Sequence, residues 1–148
     1  MLDWRQWKIW TVWKWRSGGD STPVHLERGR RGETAARAHL SAAGLKFLAA
    51  NYRTPRGEID LVFRDGPCLV FIEVKTRTAA PGRRPARAVD ARRRKRLSCA
   101  ALDYLAAVGS PAVPFRFDIV EVILVNDGIQ EIRHLPNVFT LEGGLRYW

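Results

Sequence analysis

Asp60, Glu73 and Lys75 are the residues of this chain whose types and spacing could do chemistry together. They fall in two apolar, alternating runs, Glu58–Arg64 and Leu69–Thr76, separated by the turn signal Asp65-Gly66-Pro67. If Gly66-Pro67 is a two-residue hairpin loop, Asp60 falls opposite Glu73 and Glu58 opposite Lys75. Period-two alternation then puts 58, 60 and 62 on one face with 71, 73 and 75. Two opposed carboxylates have Cβ atoms about 5 Å apart and repel each other. A cation between them resolves the conflict, and oxygen ligands completed by water suit Mg²⁺ or Mn²⁺. Lys75 shares the face of Glu73, where an ammonium could orient or deprotonate a water or stabilise charge on a phosphate. Two acids, a lysine and a bound metal fit metal-assisted phosphodiester hydrolysis. The same alternation equally reads as a solvated strand face laced with cross-strand ion pairs. Against that, Leu69–Lys75 has the composition of a buried strand, where a charged pair is unusual. The pairing depends on register, since a slip of one residue dissolves it.

These strands need partners. A helix is expected from His25 or Leu26 to Ala43, with Ala35, Ala36, Leu40 and Ala43 as its apolar face and Gly44 just past its end. Gly29 and Gly32 weaken its first turns. A strand follows over Lys46–Arg53, and Thr54–Gly57 turns the chain into the first of the two runs above. Residues 78–85 form a loop with two prolines. A long helix from Ala86 to Val108 carries the stripe Val89, Arg93, Leu97, Ala100, Ala101, Tyr104, Leu105, Val108 and stops at Gly109-Ser110-Pro111. A strand over Phe115–Val125, a turn at Asn126-Asp127-Gly128 and a short strand over Ile129–His134 complete the order α-β-β-β-α-β-β, a mixed α/β fold.

The chain is 148 residues long, one domain's worth, with a net charge of +10. That charge is uneven. Residues 1–96 hold 22 Lys/Arg against 9 Asp/Glu, and residues 97–148 hold 3 against 6. Arg83, Arg84, Arg87, Arg92, Arg93, Arg94, Lys95 and Arg96 crowd one segment with only Asp90 to offset them. Such a run points to a polyanion, either nucleic acid or an anionic membrane surface; its bland reading is a solubilising helix face. No apolar run approaches the ~20 residues of a membrane span, and no secretory signal is visible. Cys68 and Cys99 are too few for a disulfide framework and read as two reduced, buried thiols of a cytoplasmic protein. His25, His39 and His134 lack zinc spacing. Residues 1–23 form a Trp-rich basic leader, with Trp4, Trp7, Trp10, Trp13 and Trp15, set off from a single domain at 24–148 by the break Ser17–Pro23. The leader could lie in a membrane interface or stack on bases, and equally reads as a flexible extension or a translation start placed too early.

Asp60 with Glu73-Val74-Lys75 downstream resembles the PD-(D/E)xK nuclease motif, here as Glu-Ile-Asp and Glu-x-Lys. Gly32-Glu33, Asn51-Tyr52-Arg53, Arg56-Gly57-Glu58-Ile59-Asp60-Leu61, Phe71-Ile72-Glu73-Val74-Lys75-Thr76-Arg77 and Arg116-Phe117-Asp118, in that order, resemble the YraN-type family of small bacterial predicted endonucleases over about residues 26–138. The resemblance implies a restriction-endonuclease-like αβββαβ core with a mixed central sheet, similar also to archaeal Holliday-junction resolvases. It implies Asp60 and Glu73 as metal ligands, the Val74 carbonyl as a third, Lys75 as the catalytic lysine, and Glu33 completing the site directly or through water. On residue pattern alone Glu33 reads as a solvent-facing helix residue. Glu58 is left between an ion pair to Lys75 and a metal contact. Thr76 and Arg77 are placed to touch phosphate, and Arg77 equally caps its strand. The expectation is a cytoplasmic, Mg²⁺- or Mn²⁺-dependent endonuclease acting on DNA, including branched or single-stranded forms, and compatible with a homodimer. Arg83, Arg84, Arg87, Arg92, Arg93, Lys95 and Arg96 would hold the phosphate backbone without reading bases. The rivals are a nucleic-acid-binding module that does not cleave and a peripheral membrane protein acting through the leader.

Overall fold

The computed structural model describes residues 24–80, 89–126 and 128–141. The Trp-rich leader, the loop carrying Arg83, Arg84 and Arg87, and Asp127 lie outside the described residues.

Helix α1 spans Val24–Ala42 and buries Gly32, Ala36 and Leu40, spaced four apart along one stripe. Its end is closed by Leu45 N–H donating to the Leu40 carbonyl, with Gly44 at φ +92°. Strands β1 (Lys46–Thr54), β2 (Gly57–Asp65) and β3 (Cys68–Thr78) form an antiparallel meander. Gly66 has φ +55° and Pro67 follows it, the pattern of a type II′ hairpin turn. The β2–β3 register is the expected one, from Asp65–Cys68 to Leu61–Ile72. It stops there, however, short of the Asp60–Glu73 and Glu58–Lys75 pairs.

Helix α2 spans Ala91–Ala107 and carries the chain across to β4 (Phe115–Val125), which pairs parallel with β3; β5 (Gly128–Phe139) then runs antiparallel beside β4. The sheet order is β1-β2-β3-β4-β5, and the expected mixed α/β architecture is observed. Most bounds fall within two residues of expectation, and two differ by more. Helix α2 starts five residues late, because Asp90 is extended (φ −63°, ψ 157°) and its side chain accepts from Arg93 N–H as an N-cap. Strand β5 runs on past His134 through Pro136 to Phe139, where the Phe139 ring stacks on Phe117 at 4.5 Å.

The helices cover opposite faces. Leu69 and Phe71 of β3 join Leu97, Ala101, Tyr104 and Leu105 of α2, while Val70 and Ile72 join Ala36 and Leu40 of α1. Burial on both faces explains why the first half of β3, up to Ile72, is an unbroken apolar run. In β2 the alternation fails once: Ile59 and Val62 both face α2, whereas Leu61 and Phe63 face α1. A second charged cluster sits around the fully buried Asp118, which accepts from Arg116, from Asn137 N–H and bonds His134 Nε2 at 2.7 Å. Among the described residues no helix is long and apolar enough to cross a membrane. Cys68 and Cys99 are unbridged and half-buried rather than buried.

Candidate active site

The break in β2 falls at Asp60. The register of β1 with β2 runs through Ala50–Leu61 and Tyr52–Ile59 but omits the pair Asn51–Asp60 between them. Asn51 is in the left-handed region at φ +52°, which Asn tolerates better than most residues. Asp60 is thereby turned out of the two-residue period, and the expected sharing of one face by 58, 60 and 62 does not hold. Its Oδ2 instead accepts from Val74 N–H at 2.7 Å, so a side chain takes the place of a ladder carbonyl. Burial first, then the charges of Glu73 and Glu33, push the Asp60 carboxyl up to about 7 against the Val74 N–H and Arg93. Asp60 is thus a carboxyl in an environment short of positive charge.

Glu73, only 6% exposed, is held by α2. The Arg93 guanidinium donates from Nε to both Glu73 oxygens at 3.0 and 3.1 Å, from Nη2 to Oε2 at 3.0 Å, and from Nη1 to Glu58 Oε1 at 3.0 Å. Arg93 was expected on phosphate; it points inward instead. The stripe Val89, Arg93, Leu97 already carried the signal, an arginine on the buried side of its helix. Glu58 pairs with Arg93 and, at 3.7 Å, with Arg53. Gly57 makes this reach possible: a Cβ there would overlap the Arg96 backbone carbonyl, so only glycine lets α2 lie this close to β2.

Glu33 arrives from α1, as the resemblance implied and the residue pattern alone did not. Burial raises its carboxyl, opposed by a hydrogen bond from the Asn51 side chain and by the charge of Arg53. Gly32 allows the approach, since a Cβ there would overlap the Thr76 hydroxyl. Glu33, Asp60, Val74, Thr76, Arg77 and Arg93 are among the residues lining one open cleft of about 400 Å³. Sequence reasoning named Asn51 only within the block Asn51-Tyr52-Arg53 and gave it no place in the site. Its signal was an asparagine inside a strand run, where that residue is disfavoured.

Lys75 lies two residues beyond Glu73, half-buried, with Glu121 of β4 as its register partner. It is not among the residues lining the cleft. Arg77 stands 3.8 Å from the buried Glu121, an ion pair rather than a free phosphate contact. Arg92, Lys95 and Arg96 are exposed on the first turns of α2, as a phosphate-binding row requires.

The donor set fits a hard divalent cation in kind: Asp60, Glu73, Glu33 and the Val74 carbonyl are all oxygen ligands. It is not a preformed cage, because among the described residues no three His, Cys, Asp or Glu side chains are gathered around one point. Arg93 occupies the Glu73 oxygens that a metal would use.

Residues 32–122 match a family described as Uncharacterised protein family UPF0102. A UPF0102 protein of Symbiobacterium thermophilum is 45% identical over 111 residues, covering 75% of this chain and 94% of that protein. One from Anaeromyxobacter dehalogenans is 39% identical over 120 residues, covering 81% and 89%. One from Xanthomonas campestris is 49% identical over 96 residues, covering 64% and 79%.

Proposed function

The chain belongs to the uncharacterised protein family UPF0102, and from the geometry of its cleft we propose that it is a divalent-metal-dependent endonuclease acting on DNA. The observation that carries this reading is Asp60, turned out of its strand onto Val74 N–H beside Glu73 and Glu33, beneath the basic start of α2. Asp60, Glu73, Glu33 and the Val74 carbonyl would hold Mg²⁺ or Mn²⁺, which when bound supplies positive charge beside the phosphate and acidifies water. Arg92, Lys95 and Arg96 bind the backbone without reading sequence. Lys75, two residues beyond Glu73 on β3, is assigned to position the attacking water or the phosphate it attacks, which requires it to turn from its place beside Glu121 toward the cleft. Thr76 and Arg77 border the same cleft.

A second reading, a nucleic-acid-binding protein that does not cleave, is favoured by one observation: the Arg93 fork on Glu73 already satisfies the carboxylate a metal needs. Both readings predict salt-sensitive DNA binding, so cleavage separates them. Linear, flapped and four-way DNA are incubated with Mn²⁺ and wild-type protein, beside Glu73→Ala and Lys75→Ala. The nuclease reading expects cleavage that chelation stops and that both variants lose while still binding DNA. Equal cleavage by wild type and Glu73→Ala would mark a contaminant and defeat it.

A further inference from the structure

Arg93 differs from its neighbours in the basic run. Arg92, Lys95 and Arg96 face solvent, whereas Arg93 makes a three-bond fork to Glu73 and a fourth bond to Glu58. Resting on the metal-dependent reading of this cleft, we infer that Arg93 is the exchangeable counter-ion of the site. It pairs with Glu73 and Glu58 in the metal-free protein, a divalent cation displaces it, and the freed guanidinium passes to nucleic-acid phosphate.

The electrostatics require a cation at Glu73 in either state. A carboxylate this buried is strongly destabilising when left without a partner. Arg93 takes three of its roughly four lone-pair sites, one on Oε1 and two on Oε2, so a metal seeking both oxygens must displace the fork. A dication on those oxygens would also sit against the guanidinium and repel it. Arg93 has a way out. Its side chain is 31% exposed and borders the open cleft. It also springs from the first turn of α2, beside the exposed Arg92 and within a turn of Lys95 and Arg96. A change of side-chain rotamer moves it from the acids to that outer row, whose shape suits a bidentate phosphate contact. Displacement therefore couples the two ligands. A metal frees a phosphate-binding group and bound phosphate holds that group off the metal site, a linkage that is reciprocal.

The test is calorimetric titration of Mn²⁺ into the full chain without nucleic acid, for wild type, Arg93→Gln, Arg93→Lys and Glu73→Gln. Removing the competing guanidinium is expected to tighten Mn²⁺ binding by about tenfold or more in Arg93→Gln. Arg93→Lys, which keeps the charge but loses the fork, falls between it and wild type, and Glu73→Gln abolishes the heat. If circular dichroism finds Arg93→Gln unfolded, Arg93→Lys decides alone, and tighter binding than wild type supports the exchange. Wild-type binding that depends on Glu73 but is unchanged or weakened by both Arg93 variants overturns the exchange and leaves the nuclease reading standing. Absence of Mn²⁺ binding in every protein removes both.

Discussion

At the scale of single residues, the buried acids divide into two kinds. Asp118 is sealed from solvent, and burial alone would raise its carboxyl. The hydrogen bonds from His134, Asn137 N–H and Arg116 outweigh burial and hold it below its ordinary value of 3.8. Arg116 in turn reaches Asp65, so β2, β4 and β5 all meet at this carboxylate. A carboxyl depressed by folding contributes stability above its unfolded value and loses it as pH falls through the folded one. Asp118→Asn is therefore expected to cost about 3 kcal/mol near neutrality, because it leaves partly buried cations facing an amide. Urea unfolding at pH 6 and at pH 3 checks this: the gap between wild type and variant should narrow in acid. Asp60 is the opposite kind, raised where Asp118 is lowered, and that contrast separates a structural acid from one waiting for a partner.

At the scale of elements, two glycines set how closely the helices approach the sheet. Gly57→Ala drives a methyl into the Arg96 backbone, which can yield only if α2 moves; a loss of roughly 1–3 kcal/mol in chemical unfolding is expected. Gly32→Ala meets the Thr76 side chain instead and gains about 1 kcal/mol of helix propensity, so it should be the milder change. Much of this framework was legible beforehand. Gly66-Pro67 set the register of β2 and β3, and the bounds of β4 came out as read, because turn residues and alternation act locally. What escaped was set by contacts across elements. The break at Asp60 depends on Asn51 in the neighbouring strand, the start of α2 on the Asp90 cap, and the inward turn of Arg93 on two acids from other strands. The convergence of Glu33 on Asp60 was legible only through the family resemblance.

At the scale of the molecule, the basic charge is concentrated while the acids of the cleft lie beneath it. Exposed Arg92, Lys95 and Arg96 form one row at the start of α2. Replacing all three with Ala should weaken DNA binding and flatten the plot of log affinity against log salt by about three units of slope, as measured by fluorescence anisotropy. A slope unchanged from wild type would move the phosphate contacts elsewhere. The five-stranded sheet has another global property, since among the described residues its order leaves β1 and β5 with unpaired outer edges. Neither edge is straight: β1 is interrupted between Phe47 and Ala49 and again at the left-handed Asn51, and β5 carries Pro136 followed by the left-handed Asn137. A second copy could not zip its backbone along either border for more than a few residues. The kinks that shape the cleft on one side and anchor Asp118 on the other thus also protect the crowded protein from growing into fibrils.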